Sequence, residues 1–345
     1  MDVVRCAIVG MGIGKPNGRA LAAHPRGRVV ALCDLYEERM RAFAAELPGP
    51  VRFYTDYVAL CRDPEIDAVF VGTPNQLHVP VALEAVRQGK HVLVTKPLSD
   101  SVESARELVR VAEAAGVVNM MSLTTRFAPE VQYLGALRAA GEFGEVYYAH
   151  ASTVRRSGIP NWNPGFVRAG GGAIRDMGVH FLDSTWWLMG MPQPVSASGV
   201  AGAKFGPRGL GYWEFAPQPP PFHREYAADD YAGGFVRFAN GAGMQVEALW
   251  ASHMPDANQI DLFGTEAGAR LIPLTVFRTV AGAPQDGTVK VAAKPTGLER
   301  IADRFIATIL DGAPCEAPLR QGLIVQEMME ALLESGRAGR EVRIG

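Results

Sequence analysis

Residues 7–23 read AIVGMGIGKPNGRALAA, and the fold turns on this stretch. An apolar strand runs straight into Gly10, Gly12 and Gly14, and a helix-forming segment containing Gly18 follows. Glycines are needed where backbone must turn tightly and approach a pyrophosphate with no Cβ in the way. The helix behind them offers unpaired N–H groups and the positive end of its dipole. Lys15 stands where the usual GxGxxG spacing would put its third glycine, so the pattern is GxGxG, and the spacing predicts a loop lengthened by Lys15, Pro16 and Asn17.

The surrounding chain supports a dinucleotide-binding reading. Asp34 ends the next apolar run, VVALCD, about ~20 residues after the loop, where a carboxylate can accept hydrogen bonds from both ribose hydroxyls. It would repel a 2′-phosphate, so NAD is favoured over NADP, with Arg39 nearby as the one contrary sign. Further on, GTPNQLHVPVALEA leaves a strand through Thr73, Pro74 and Asn75, and His78 opens the helix that follows. HVLVTKP ends another strand on Thr95, Lys96 and Pro97. In an open parallel sheet, ligands bind at the carboxyl edge of the strands. The expected cofactor contacts are therefore Gly10, Gly12, Ile13, Gly14, Asp34, Thr73, Pro74, Asn75, His78, Thr95 and Lys96.

Near-continuous apolar strands alternating with amphipathic helices (VPVALEAVRQG, SVESARELVRVAEAAG) continue to residue 122. They predict a doubly wound α/β domain over 1–122. From residue 123 the rhythm changes to strands joined by Asn-Gly and other glycine turns, with one helix at 175–189 and two more at 297–311 and 320–336. This half, 123–345, is expected to be an α+β domain on a large, mostly antiparallel sheet. The Pro- and Gly-rich stretch 207–226 reads as an exposed loop.

Composition narrows the partners. With 345 residues, 48% apolar, 20% charged and a net charge of -2, the chain has no concentrated cationic face for nucleic acid. No window reaches the roughly 18 apolar residues of a membrane span, and the start MDVVRCAIVG shows no secretory signal pattern. Four scattered cysteines form no CxxC pair. The expectation is a cytoplasmic enzyme with a small-molecule substrate, no membrane and no metal.

Catalytic candidates come from both halves. Lys96 at a strand end can hydrogen-bond a substrate hydroxyl and stabilise a developing alkoxide. In RAGGGAIRDMGVHFLD, Asp176 and His180 stand four apart, hence on one helix face behind Gly170–Gly172. Histidine is the side chain best suited to take a proton near neutral pH. Asp183 lies close by, yet the spacing of Asp176, His180 and Asp183 matches no strong metal motif. Arg126, Arg155, Trp162 and Asn163, with Asp176 and His180, are the candidate substrate contacts.

Together GMGIG, TPNQLH, the strand-end Lys-Pro, TRF at 125–127, GGGAIRDMGVHFLD, DDYAGGFVRFANG, FGTEAG and the closing PLRQGLIVQEMMEALLESGRAGREVRI resemble the Gfo/Idh/MocA oxidoreductase family along nearly the whole chain. The resemblance implies a Rossmann domain and a substrate-binding and oligomerisation domain in a homodimer or homotetramer. It also implies hydride transfer between nicotinamide and a sugar, polyol or related hydroxy or keto compound, with Lys96, Asp176 and His180 catalytic. One departure stands out: Thr95 replaces the family's Glu before Lys-Pro, removing a carboxylate beside the lysine. Two other functions compete: an NAD-requiring glycosidase that oxidises its sugar transiently, with Tyr212, His223 and Tyr226 as extra groups, and a non-catalytic NAD-binding regulator.

Overall fold

The computed structural model describes residues 2–215 and 220–345. The chain divides into two compact units, 1–127 with 295–323 and 128–294 with 324–345.

In the first unit six strands form one sheet: β1 (Val4–Val9), β2 (Gly27–Cys33), β3 (Arg52–Tyr54), β4 (Ala68–Val71), β5 (His91–Thr95) and β6 (Asn119–Ser122). Their order is β3-β2-β1-β4-β5-β6 and every pairing is parallel. All four residues of β4 are buried, as a strand covered on both faces requires. The covering helices are α1 (Gly14–Ala23), α2 (Glu37–Ala44), α3 (Tyr57–Cys61), α4 (Asn75–Arg87) and α5 (Val102–Ala115). Strand order reverses between β1 and β4, so the ends of these two strands flank the crevice where such sheets bind ligands.

The glycine loop is not lengthened. Helix α1 begins at Gly14, so Lys15, Pro16 and Asn17 lie in its first turn, where the missing N–H of Pro16 forfeits no helical hydrogen bond. The Asn17 side chain donates to Ile13 O (2.9 Å) and accepts from Ser122 Oγ (2.8 Å), tying the helix start to β6. Gly18 lets α1 pack closely on α2 and β1, because a Cβ there would lie 2.8 Å from the Phe43 ring and 3.3 Å from Ile8 Cγ1.

The second unit holds a nine-stranded sheet: β7 (Val146–Val154), β8 (Pro194–Gly202), β9 (Tyr231–Phe238), β10 (Gly243–Leu249), β11 (Ala257–Gly264), β12 (Ala267–Arg270), β13 (Thr275–Val280), β14 (Ala283–Thr288) and β15 (Val342–Arg343). Its order is β14-β13-β12-β11-β7-β10-β9-β8-β15. Among the described strands of this sheet only β7 and β10 pair in parallel; β9 and β10 form the expected hairpin, with Gly241 at φ 87° in its turn. Helices α6 (Pro129–Ala139) and α7 (Val179–Leu188) pack together, and α7 lies against β7 and β11.

Helix α8 (Gly297–Asp311) buries Ile301, Ala302, Phe305 and Ile306 in the core of the first unit and packs against α1, β1 and β6. A capping box of Thr296 and Glu299 starts it. It is followed by α9 (Leu319–Ala338). A contiguous division at 122/123 therefore leaves out a piece of the first unit. Arg126, expected to touch substrate, clasps this piece instead: fully buried, it donates to Glu316 O (3.0 Å) and to the Gln321 side chain.

The stretch 207–226 is largely an exposed loop with short helical turns, in which Tyr212 is buried; its residues 216–219 lie outside the described residues. Tyr212 is 2% exposed and its hydroxyl donates to Gly206 O (3.3 Å). Burial drives the Tyr226 phenol upward in pKa, and Asp230 and Asp229 add to the effect. His223 Nδ1 sits 3.0 Å from Pro220 O. Both tyrosines pack into the second unit's core. Among the described residues no helix is long and apolar enough to cross a membrane.

Candidate active site

In the first unit the predicted cofactor residues gather on the carboxyl edge of the sheet. Gly10 (φ 91°) donates to Cys33 O (2.8 Å), and Gly72 donates to Val9 O (2.8 Å). A Cβ at Gly10 would lie 2.4 Å from Gly72 O, so only glycine lets these two strand ends meet. A Cβ at Gly12 meets nothing within 4 Å, which leaves open space over that backbone. Gly14 approaches Ile8 closely, and Ile13, 44% exposed, sits at the helix start. The Asp34 carboxylate accepts from Met11 N (2.8 Å) and Tyr36 N (3.1 Å), which fixes its position beside the glycine loop. Leu35 and Tyr36 are exposed, and the Arg39 guanidinium lies 4.6 Å from the Tyr36 ring centre.

His78 is a clasp rather than a site wall. It is fully buried, with Nδ1 2.7 Å from Pro97 O and Nε2 2.8 Å from Thr73 O. The ring thus ties the β4 loop, Thr73 to Asn75, to the β5 turn that carries Lys96. Burial lowers its pKa, partly opposed by the two carbonyls. Thr95 is buried, and the Lys96–Pro97 peptide bond is cis.

In the second unit the glycines of Gly170–Gly172 have definite neighbours. A Cβ on Gly171 would lie 2.0 Å from Phe166 O, and one on Gly172 (φ 116°) 1.9 Å from Asp229 Oδ1. Asp229 Oδ2 accepts from Ile174 N (3.1 Å), and Arg175 pairs with Glu330 (2.6 Å). Between these anchors the chain makes a π-helical turn, Ile174–Gly178, before α7. The expected helix is present, but Asp176 sits in a wider turn than His180, a type often found at functional sites. Trp250 Nε1, in a fully buried side chain, donates to Asp176 Oδ2 (3.0 Å). Burial lowers the Arg155 pKa, and the charges of Asp176 and Asp256 pull it back up. Its guanidinium lies 4.7 Å from the Trp213 ring centre. Trp162 is 60% exposed. Asn163 Oδ1 accepts from Gly165 N (2.8 Å) and so shapes its own turn.

Comparison with known proteins fits both units. The family model described as an oxidoreductase family with an NAD-binding Rossmann fold matches residues 4–123, and the GFO/IDH/MocA C-terminal domain matches 131–270. The scyllo-inositol 2-dehydrogenase (NAD(+)) of Bacillus subtilis (strain 168) is 30% identical over 76% of this chain and 72% of its own. The chain belongs to the Gfo/Idh/MocA oxidoreductase family. Another relative in it, D-glucoside 3-dehydrogenase of Escherichia coli (strain K12), is 27% identical over 99% of this chain and 97% of its own. Levoglucosan dehydrogenase, solved with NADH and levoglucosan, superposes with a TM-score of 0.85 over 99% of both chains at 22% identity, a likeness of fold.

A Gfo/Idh/MocA oxidoreductase uses NAD, and the first unit fits it. The open space over Gly12 suits a pyrophosphate, and Asp34 suits a ribose. Thr73 Oγ1 is buried with no hydrogen-bond partner among the described residues, a polar atom that a ligand would satisfy.

Asp229 gives a testable signature in the second unit. Burial pushes its carboxyl up to about 6, with the Ile174 N–H and the Arg175 charge working the other way. The folded state holds this proton more tightly than the unfolded chain. Its contribution to stability therefore grows as pH falls through 6 towards the ordinary carboxylate range, the reverse of a salt-bridged aspartate. Asp229→Asn keeps an oxygen for Ile174 and never ionises. Relative to the parent, it is expected to lose about 1 kcal/mol between pH 8 and pH 5. Urea unfolding at several pH values measures this, and a pH-independent difference refutes it.

Proposed function

We propose that this oxidoreductase is a dehydrogenase of sugars or polyols, with Lys96, Asp176 and His180 as its catalytic residues. The observation that carries the reading lies in the second unit: a carboxylate held by an indole N–H, a histidine one turn on, and a guanidinium beside aromatic rings. Hydroxyl groups need both donors and acceptors, and the apolar face of a sugar ring suits an aromatic surface. The names of the relatives, a glucoside and an inositol dehydrogenase, support the same substrate class.

When bound, NAD+ supplies the hydride acceptor. The chain's own residues do the rest. Lys96 donates a hydrogen bond to the reacting hydroxyl oxygen and stabilises negative charge as it develops there. His180 takes the hydroxyl proton. Asp176, oriented by Trp250, accepts from a neighbouring hydroxyl and fixes which carbon reacts. In the reverse direction the same residues reduce a carbonyl.

The test is a panel of sugars, inositols and glycosides incubated with NAD+ or NADP+ and followed at the nicotinamide absorbance. Net NADH from at least one polyhydroxylated compound is expected. Glycoside cleavage with no net NADH overturns the dehydrogenase reading in favour of a redox-assisted glycosidase.

The same reading makes the protein a cytoplasmic homodimer or homotetramer. Four unpaired thiols, three of them buried, suit a reducing compartment. On the second sheet Tyr148, His150, Phe235 and Phe263 form a cluster of ring contacts 5.2 to 6.0 Å apart, with Phe263 37% exposed, a surface suited to a second copy.

A further inference from the structure

We propose that Trp162, Phe166 and Trp213 form a subsite for the second ring of a glycoside, adjoining the polar group of Arg155 and Asp176. This rests on the sugar-dehydrogenase reading and narrows it: the preferred substrate carries a ring beyond the sugar that is oxidised.

Trp162 meets two other rings edge to face here. The Trp162 centre lies 6.0 Å from Phe166 and 5.8 Å from Trp213, with interplanar angles of 72° and 82°. Such edge-to-face contacts hold each ring by its neighbours. Trp162 nevertheless keeps 60% of its surface exposed, unusual for so large an apolar side chain in a fixed cluster.

The platform is built on buried supports. Trp213 N donates to Ile159 O (2.9 Å), and the preceding Tyr212 is buried and bridges to Ile159. Arg155 is clamped from two sides. Its guanidinium lies over Trp213, and its stem packs so closely on the Gly158 turn that a Cβ there would fall 2.3 Å from Arg155 Cδ. A guanidinium laid on an indole keeps its N–H edge available for in-plane acceptors such as sugar hydroxyls or a glycosidic oxygen.

The order of these groups points to a second ring. From Asp176 the chain of neighbours runs to Trp250, whose indole bonds it (3.0 Å), to Arg155, whose backbone N–H donates to Leu249 O next to Trp250 (2.9 Å), to Trp213 at 4.7 Å, and on to Trp162 after another 5.8 Å. A sugar held at Asp176 reaches Arg155 through its hydroxyls, and Trp162 lies two ring contacts further out. Three rings are also too small a patch for a protein partner, whose interfaces bury about 800 Å² per side. They match the flat apolar face of one sugar or aryl ring.

The experiment compares matched methyl and phenyl glycosides of D-glucose, D-galactose and D-xylose, together with the corresponding β-linked disaccharides, as substrates with NAD+. For the parent enzyme, kcat/KM is expected to be at least about tenfold higher for the phenyl glycoside or the disaccharide than for the methyl glycoside, carried by KM. A higher value for phenyl than for disaccharide marks an aryl aglycone, and the reverse marks a second sugar. Trp162→Ala is expected to bring the ratio to within about twofold of one, while Trp162→Phe, which keeps an aromatic face, retains most of it. NADH binding to each variant confirms that it folds. Equal efficiencies in the parent, or a preference that survives Trp162→Ala, overturn the inference alone. Turnover of free sugars or inositols with none of any glycoside also overturns the inference alone, whereas no turnover of glycosides, free sugars or inositols overturns the dehydrogenase reading with it.

Discussion

A Lys96→Ala enzyme is expected to turn over substrate about 100- to 1,000-fold more slowly, the usual cost of removing one hydrogen-bond donor aimed at a developing oxyanion. NADH affinity stays within a few-fold of the parent value, because the glycine loop and Asp34 are untouched. His180→Ala loses about 100- to 10,000-fold, the range for a general base. The two losses differ in what restores them. Added imidazole accepts a proton and is expected to return part of the His180→Ala rate; a primary ammonium is expected to help Lys96→Ala alone. Stopped-flow measurement of NADH formation gives kcat, and fluorescence titration gives cofactor affinity. If either variant keeps more than about a tenth of the parent kcat, that residue is not catalytic in the assigned sense. The position of Lys96 favours a large effect. Its residue follows a buried strand, and the His78 ring fixes the turn by bonding Pro97 O on one side and Thr73 O on the other.

The first sheet was legible because its signal is local. VRCAIV, AVFV and HVLVT are apolar runs that only a strand buried on both faces explains, and the glycines after β1 state where the backbone must come close. The placement of Asp34, Thr73 and Lys96 just beyond or at the carboxyl ends of β2, β4 and β5 follows from the strand boundaries alone. The errors arose where a residue's meaning depends on a distant partner. Arg126 looks like a surface cation near a strand end, yet the groups it bonds come 190 and 195 residues later. Helix α8 has an apolar stripe that any core could accept, so its membership of the first unit is invisible in its own sequence. In the second unit, Gly170–Gly172 announced a close approach without saying to what. The answers, Phe166 O and the Asp229 carboxylate, lie on segments with no recognisable tie to it. Lys15–Asn17 was misread for a smaller reason, since proline is tolerated in a first helical turn as well as in a loop.

Gly12→Ala separates cofactor recognition from folding. At Gly10 the two cannot be separated, because φ 91° and a Cβ 2.4 Å from Gly72 O would strain the fold itself. Gly12 has no such conflict: its φ lies outside the left-handed region, and an added methyl meets no atom of the chain within 4 Å. Removing a glycine where alanine fits reduces the freedom of the unfolded chain, so stability is expected to hold or rise by about 0.5 kcal/mol. The new methyl instead occupies the space through which a pyrophosphate reaches the loop backbone and the first turn of α1. A dissociation constant for NADH raised about 100-fold is expected, close to 3 kcal/mol of binding. Asp34 is unchanged in this variant, so the expected loss is assigned to the glycine loop. Thermal unfolding with and without NADH reads both quantities at once: the bare protein melts as the parent does, and the rise in Tm given by a fixed NADH concentration shrinks. A variant that binds NADH as tightly as the parent would place the pyrophosphate away from Gly12 and break the link between the open glycine and the cofactor.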